Sequence, residues 1–299
     1  MTRAYKKTDL KNVVQLLNTC FPKNNVTTNS FSWKHFHSIF SNQTRCRVAI
    51  VQDQLAAVAC FLPLKIQHGQ KTLRFFSCAV QATNPAYRRQ GLITKLTQEI
   101  EAELPIDTNY LGFSNSDGVK IDQFSKKISY KIVGTFSTSY FLPFFRSDKK
   151  FQFKEVSSMQ KRFIPQSQGK FLEIDANVEY VQWKFVENPK RTYLFFEIHN
   201  KEKCVGYVIT ENLGWKIAIV KIIAAVKYIQ PQLFESFSNY IWSNTKRLTV
   251  FSYLKNSFWQ TALPHSLFSK PSNMYLTVKS KKKIFVNKDN WLLQGGDIQ

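Results

Sequence analysis

The amino-acid sequence predicts an α+β fold in which helices flank a mixed, mainly antiparallel sheet, and it predicts this arrangement twice along the 299 residues. Three observations support the prediction. Short segments with strand-like alternation, joined by polar turns, occur in both halves of the chain, as is typical of antiparallel strands. An amphipathic helical segment follows the strands of each half. An apolar fraction of 43% is sufficient for a substantial buried core.

The first half contains a complete set of these elements. A helix begins near Asp9, where Val13, Leu16, Leu17 and Cys20 have helical spacing. Three strands form a meander, and Pro85 ends the last of them because proline cannot donate to a sheet. The remaining predictions, in chain order, are a strand at 2–5, a short helix at 29–39, the meander strands at 47–51, 55–66 and 73–83, a helix at 91–104, a strand at 110–113, a helix at 117–128 and a strand at 132–142.

The second half repeats this order after polar interruptions at 144–159, which predict a domain boundary. Its elements are a helix at 178–185, strands at 193–199, 204–210 and 216–226, a helix at 233–243 and strands at 247–253 and 275–278. The predicted domains are therefore 1–146 and 147–299. No residue-level repeat relates the two halves.

Composition limits the possible partners and compartments. The formal charge of +22 is spread over both halves, which favours anionic partners such as nucleic acid, an anionic membrane surface, coenzyme A (CoA) or an acidic carrier protein. Five cysteines show no Cys-x-x-Cys pair and no histidine at zinc-ligand spacing, so we expect no metal site and reduced, buried thiols. With no signal-peptide core and no long apolar run, a cytoplasmic protein is expected.

The most informative segment is the loop Tyr87-Arg88-Arg89-Gln90-Gly91, which lies between a strand and the helix at 91–104. The first N–H groups of a helix lack partners within the helix and lie at the positive end of its dipole. A phosphate or diphosphate can bind there, because Gly91 permits close approach and two arginines add full charges. A basic turn without a ligand would also explain this short motif.

The segment Ala82-Thr83-Asn84-Pro85-Ala86-Tyr87-Arg88-Arg89-Gln90-Gly91-Leu92-Ile93 resembles the acyl-CoA-binding motif of the GNAT acetyltransferases. Arg88 and Gly91 match the pattern Arg/Gln-x-x-Gly-x-Gly/Ala, whereas Ile93 stands where Gly or Ala is usual. Other matching features are Gly112-Phe113-Ser114-Asn115, the aromatic stretch around Trp183, and the end of the chain at 291–297. The resemblance is specific over 73–134 and weak beyond 150. It identifies the chain as similar to the two-unit branch of this family.

The resemblance implies a GNAT fold and a set of cofactor contacts. Backbone groups near Gln81 and Thr83 would pair with the pantetheine arm, and Asn115 would lie near the reactive end of the cofactor. The residues implied to bind the diphosphate are Arg88, Arg89, Gln90, Gly91, Leu92, Ile93 and Thr94. The resemblance does not assign the catalytic residues. Ser125 stands at the position where the family usually has the tyrosine that acts as general acid. The weak candidates are Asn115, Ser125 and Tyr130.

The implied activity is transfer of an acetyl or other acyl group from CoA to a primary amine by direct attack in a ternary complex. The acceptor is expected to be a small molecule, and the positive charge favours an anionic one or an acidic acyl-carrier protein as donor. The second domain has no Arg-x-x-Gly loop, so it is expected to shape the acceptor cleft without binding cofactor. The alternatives are a non-catalytic GNAT pair that binds nucleic acid, and acylation of an RNA-linked amine.

Several other residues have both a functional and a structural interpretation. His35 and His37 could contact substrate, but packed or surface histidines are the better interpretation. Trp33, Phe36 and Phe40 could line an acyl pocket or form core. The tryptophans assigned to the core of the second domain are Trp183, Trp215, Trp242 and Trp259. Asp297 is either a buried carboxylate in a substrate cleft or part of a frayed tail.

Overall fold

The structure is a computed structural model, which describes residues 1–37, 39, 41–115, 127–143, 150–160, 171–264 and 268–298. The chain forms two compact units, each built from several segments. The first unit comprises Met1–Leu64, Arg74–Ile132 and Thr277–Lys282, and the second comprises Lys65–Leu73, Val133–Leu276 and Lys283–Gln299. Among the described residues, no helix is both long and apolar enough to span a membrane.

The first unit contains strands in the order β1-β2-β3-β4-β5, followed by the end of β13. The pairs β1–β2 and β2–β3 are antiparallel, and β4–β5 is parallel because helix α3 connects these two strands. The bounds are β1 Thr2–Ala4, α1 Leu10–Cys20, α2 Thr28–Phe36, β2 Arg45–Val51, β3 Gln54–His68, β4 Lys71–Thr83, α3 Leu92–Ala102 and β5 Asn109–Asn115. These elements confirm the predicted meander and both amphipathic helices.

Side chains of β3 point alternately to the two faces of the sheet, and each face packs against a different helix. Val58 lies in one core with Val13 and Leu16 of α1, whereas Ala57 lies in a second core with Leu96 of α3. Successive side chains of a strand point to opposite faces, so the sheet lies between the two helices. The sheet is therefore mixed, mainly antiparallel and flanked by helices, as predicted.

The prediction of reduced thiols is wrong for two cysteines. Cys46 on β2 lies directly opposite Cys60 on β3, and the two form a disulfide. The sequence-based expectation rested on spacing along the chain, whereas this pair is created by the register of a hairpin. Cys20, Cys78 and Cys204 are free.

The second unit contains strands in the order β13-β6-β12-β11-β10-β9-β7, with β8 paired to the end of β3. The pair β11–β12 is parallel, and helix α5 connects these two strands. The bounds are β6 Lys131–Phe141, β7 Phe151–Val156, β8 Leu172–Ile174, α4 Val178–Val181, β9 Tyr193–Asn200, β10 Lys203–Asn212, β11 Lys216–Ala224, α5 Pro231–Thr245, β12 Leu248–Leu254, α6 Ser257–Ala262, β13 Phe268–Lys279 and α7 Gly295–Ile298. The strand–helix–strand order of the first unit thus recurs.

Two predictions for the second half need correction. Phe151–Val156 forms the edge strand β7, although the polar pattern at 144–159 predicted an interruption. Charged residues on an edge strand discourage pairing with other chains, which is why the segment looked like a linker. Trp183 and Trp259 are core residues, as predicted, but Trp215 is 61% exposed and Trp242 is 37% exposed.

Candidate cofactor and active site

The first unit contains a parallel strand pair that separates partway along its length. The pairing of β4 with β5 begins at Phe75↔Asn109 and ends at Ser77↔Leu111, although β4 continues to Thr83 and β5 to Asn115. Ser77 is buried, and the residues that follow it on β4 are more exposed to solvent as far as Gln81. Where two neighbouring strands diverge, their facing backbone N–H and C=O groups no longer pair with each other. An extended ligand can pair with these groups, as in strand addition to a sheet edge.

The loop that follows β4 presents free amides at the start of α3. Gly91 is the residue immediately before the helix, with φ +74°, and no atom lies within 4 Å of where its Cβ would be. Within the described part of the chain, the amides of Gly91, Leu92, Ile93 and Thr94 have no protein acceptor. These N–H groups lie at the positive end of the helix dipole and can bind an anion.

The two arginines of the loop differ in conformation. Arg88 Nε turns back toward the carbonyl oxygen of Thr83, at 3.4 Å, so its guanidinium lies beside the end of β4. Arg89 is exposed and has φ +66°, a left-handed conformation that is uncommon for a residue with a side chain. With Gly91, it gives two left-handed residues two positions apart, a backbone arrangement suited to concave anion sites.

The remaining predicted contacts occupy positions around this opening. The side chain of Gln81 donates to Thr97 Oγ1 on α3 at 3.0 Å, so the amide group is held within the protein. The Thr83 carbonyl accepts from the Cys20 thiol at 3.2 Å. Leu92 and Ile93 pack against the core beneath α3, which leaves their backbone groups as the parts that can meet a ligand.

A cluster of polar groups lies where the two strands separate. The hydroxyl of Tyr130 lies 3.1 Å from the thiol of Cys78, and Lys279 on β13 forms a 2.6 Å ion pair with Glu101 on α3. Burial raises the pKa of the Cys78 thiol and of the Tyr110 hydroxyl, each to about 12. Burial also places the pKa of Tyr130 well above 10. All three groups are therefore protonated at neutral pH.

The other two catalytic candidates are Asn115 and Ser125. Asn115 is the last residue of β5, beyond the point where the pairing with β4 ends, and its role stays a prediction. Ser125 and most of the predicted helix at 117–128 lie outside the described residues. Cys78, Glu101 and Lys279 were missed by the sequence analysis, because only the strand order brings them together.

The second unit has a corresponding parallel pair, and its opening is filled by the chain itself. The register of β11 and β12 ends at Ile219↔Phe251. Beyond it, the side-chain amide of Gln294 accepts from the N–H of Ile222 at 2.6 Å and donates to the carbonyl of the same residue at 3.0 Å. On the other side, Leu254 N–H donates to Leu293 O at 3.1 Å. The segment 292–297 therefore lies between the two strands.

Asp297 completes this C-terminal plug, as we name the segment 292–297. Its carboxylate forms a 2.7 Å ion pair with Lys221 on β11, and both side chains are at most 1% exposed. The second carboxylate oxygen accepts from Gln294 N–H at 2.9 Å. A Cβ at Gly296 would lie 2.5 Å from the carbonyl oxygen of Val220, so only glycine fits there. Asp297 is therefore a buried carboxylate and not part of a frayed tail, and its place in a substrate cleft stays a prediction.

The two histidines of the N-terminal region, His35 and His37, lie in different environments. His35 is fully buried against Phe31, with ring centroids 4.5 Å apart, and neither ring nitrogen has a hydrogen-bond partner among the described residues. Burial lowers the pKa of His35 well below 6.5. Phe36 stacks on Tyr5 in the same core, whereas His37 is exposed. Phe40 lies outside the described residues.

A parallel strand pair that opens beside a glycine-started helix, within a mainly antiparallel sheet, defines the GNAT class of fold. In agreement, residues 1–111 match the family model described as the acetyltransferase (GNAT) domain. The N-terminal part of the chain therefore carries a GNAT domain, as the sequence resemblance implied. A search of curated proteins found no match.

Solved structures share the fold across the chain. A probable N-acyltransferase from Enterococcus faecalis V583 has a TM-score of 0.69 at 13% identity, covering 94% of this chain and 72% of its own. A GCN5-related N-acetyltransferase from Anabaena variabilis has a TM-score of 0.63 at 13% identity, covering 94% and 73%. A tandem GNAT protein from the clavulanic acid biosynthesis pathway has a TM-score of 0.58 at 7% identity, covering 94% and 98%. These likenesses support two GNAT units in tandem.

Proposed function

We propose that this protein is an acyl-CoA-dependent N-acyltransferase that transfers an acetyl or other acyl group to the primary amine of a small molecule. The observation that carries the proposal is the opening between β4 and β5 beside the free amides at Gly91. The strand edge suits the amide-containing pantetheine arm, and the helix start suits the diphosphate. Both features are needed for CoA, and the first unit has them next to each other.

The cofactor would bind with its diphosphate on the amides from Gly91 to Thr94 and with the charge of Arg89 beside it. Its pantetheine would pair with the backbone of β4 beyond Ser77, where Gln81 and Thr83 lie. The thioester would then lie near the ends of the separated strands, toward Asn115. Backbone N–H groups at that point can polarise the thioester carbonyl, which is the largest contribution expected of the protein.

Direct attack by the amine is favoured over an acyl-cysteine intermediate. Cys78 is the free thiol at the point where the strands separate, and its pKa of about 12 leaves almost no thiolate at neutral pH. A neutral thiol is a poor nucleophile. The amine would attack the carbonyl carbon, the C–S bond would break, and CoA would leave as a thiolate. The attacking amine would lose a proton to water, and the released thiolate would take one from water.

We also propose that the second unit does not bind CoA. The supporting observation is the C-terminal plug, which uses the backbone of Ile222 that a pantetheine would need. This unit also begins its helix α5 at Pro231, after Gln230, without a glycine in a left-handed conformation. The expected stoichiometry is one acyl-CoA per chain. That the second domain shapes an acceptor cleft stays a prediction.

The test is a thermal-shift and calorimetric titration of the purified protein with acetyl-CoA. We expect saturable stabilisation with one site per chain, abolished in the double variant Arg88→Ala, Gly91→Glu. The matched control is Gly214→Glu, because Gly214 also has a positive φ and open space around it but lies in a turn of the second unit. The control should retain the acetyl-CoA response in full.

Two outcomes would contradict the proposal. If acetyl-CoA gave no shift with the unmodified protein, the donor site would not exist. If RNA or DNA of mixed sequence bound in a salt-sensitive manner while acetyl-CoA gave no response, the positive charge would serve a nucleic-acid module instead. With binding established, a screen of small primary amines that includes anionic ones would define the acceptor from release of free CoA thiol.

A further inference from the structure

A cluster of potential metal ligands lies on the hairpin formed by β9 and β10 in the second unit. Glu197 and His199 are two residues apart on β9, so their side chains share one face of the sheet. The register places Cys204 of β10 directly opposite His199. The register shifts between Cys204 and Gly206, and pairing continues at Gly206↔Ile198. None of these three side chains takes part in the proposed acyl transfer.

The geometry of the three side chains suits a single small cation. Their ligand atoms all lie within 4.8 Å of one another, and His199 Nε2 is 2.9 Å from Glu197 Oε2. In a tetrahedral zinc site, ligand atoms are about 3.2–3.8 Å apart, given zinc–ligand bonds of about 2.0–2.3 Å. Only small side-chain adjustments are therefore required. The side chains of His199 and Glu197 are 24% and 12% exposed, so an ion can enter from solvent.

The chemistry of the donor set distinguishes among cations. A thiolate, an imidazole and a carboxylate together match zinc, whereas calcium and magnesium prefer all-oxygen sites. A divalent ion with a thiolate, a carboxylate and a neutral imidazole gives zero net charge. This balance matters in a chain of formal charge +22, where Lys154 of β7 lies opposite Glu197 in the register. Because the net positive charge of the protein repels cations, an ion at this site would be held by its bonds to the three ligands and not by long-range attraction.

We propose that Glu197, His199 and Cys204 form a zinc site with three protein ligands and a fourth position open to water. Binding would form Zn–S, Zn–N and Zn–O bonds and release the thiol proton of Cys204 to solvent. The ion would join the two strands of the hairpin at their turn end. The sequence analysis found no histidine at a familiar zinc-ligand spacing, because these ligands are brought together by cross-strand register.

A simple ion pair between His199 and Glu197 is the alternative, and the thiol separates the two interpretations. An ion pair gains nothing from Cys204, whereas a zinc site requires its thiolate. The Cys204 thiol lies 3.6 Å from the carbonyl oxygen of Gly206, to which it can donate only while it keeps its proton. Deprotonation of this thiol in the presence of a metal is therefore the decisive observation.

The experiment uses the full chain, treated with a chelator and then titrated with Co²⁺ and Zn²⁺. We expect one Co²⁺ per chain with a thiolate-to-cobalt charge-transfer band in the near ultraviolet, and displacement of Co²⁺ by Zn²⁺. Cys204→Ser should abolish the band, and His199→Gln should weaken Zn²⁺ binding by more than about 100-fold, since loss of an outer-shell partner alone costs 10–100-fold. Cys20→Ser is the matched control, because Cys20 is also a half-buried free thiol.

The results divide clearly. Absence of the charge-transfer band, or a band that persists in Cys204→Ser, would overturn the proposal. A band lost in both Cys204→Ser and Cys20→Ser would also overturn it. Far-ultraviolet circular dichroism on each variant separates loss of a ligand from loss of the fold, and Glu197→Gln provides a third variant that keeps side-chain volume. None of these readouts depends on acyltransferase activity.

Discussion

The two units contain the same strand pair in two different states. In the first unit, the pairing of β4 with β5 ends at Ser77↔Leu111, although both strands continue. In the second, β11 and β12 separate after Ile219, and the plug at 292–297 lies between them. The comparison teaches that diverging parallel strands expose backbone groups that must be paired. A ligand can pair them, or the protein can do so itself.

The plug uses the same kind of chemistry that a cofactor would. Gln294 presents a side-chain amide, as pantetheine presents amides, and both its oxygen and its nitrogen are paired with Ile222. Gly295 and Gly296 let the segment approach the strands closely. In the first unit, β4 is instead followed by the glycine-containing loop before α3.

The largest expected effect concerns the two lysine–carboxylate pairs. Lys221→Met removes one partner of a fully buried pair and leaves Asp297 as an uncompensated charge, so we expect about 3–5 kcal/mol of lost stability. The control is Lys279→Met in the first unit, whose pair with Glu101 is partly solvated. It should cost less than about 1 kcal/mol. Urea denaturation measures both, and equal losses would contradict the distinction between the units.

A second prediction tests the charge preference at Gly91. Asn and Asp both tolerate a left-handed conformation, so Gly91→Asn and Gly91→Asp differ mainly in charge. A carboxylate beside the diphosphate should weaken acetyl-CoA binding by about 100-fold or more, because like charges in contact cost several kcal/mol. Gly91→Asn should lose much less. Calorimetry gives the comparison, and equal losses in the two variants would argue against an anion at this position.

A third prediction concerns the plug itself. Gln294→Leu leaves the N–H and carbonyl of Ile222 without partners, so we expect about 1–3 kcal/mol of lost stability. Gln98→Leu, at an exposed position of α3, is the control and should change stability by less than about 0.5 kcal/mol. Chemical denaturation measures both variants. A neutral Gln294→Leu would show that the plug does not hold the strands.

The smallest expected effect is on the pH dependence of stability, and it comes from an ionisable group of the first unit that is buried without the kind of partner that Asp297 has in the second. His35 is buried without a partner among the described residues, and its pKa is lowered in the folded state. The unfolded state therefore binds the proton more tightly, and stability falls as the pH drops below about 6.5. At pH 5.5 the loss is about 1.4 kcal/mol relative to pH 7.5. His35→Leu should flatten this part of the pH–stability profile, and an unchanged profile would contradict the assignment.

Local sequence patterns predicted those parts of the structure that depend on neighbouring residues. The periodicity of Leu92, Leu96 and Ile100 predicted α3, and Gly91 with Pro85 defined the loop before it. Features that depend on register could not be read in this way. The Cys46–Cys60 disulfide, the contact of Tyr130 with Cys78, and the plug each join residues whose proximity follows from strand pairing. The role of Asp297 was open for the same reason.

One segment late in the chain has a consequence for synthesis on the ribosome. Thr277–Lys282 belongs to the first unit, where Thr277 bonds to Gly112 and Lys279 pairs with Glu101. Translation must therefore pass through Val133–Leu276 before this unit can acquire its last strand. At 5–20 residues per second, that delay is on the order of ten seconds. During this time the nascent N-terminal region has an incomplete sheet edge, a state in which chaperone contact is expected.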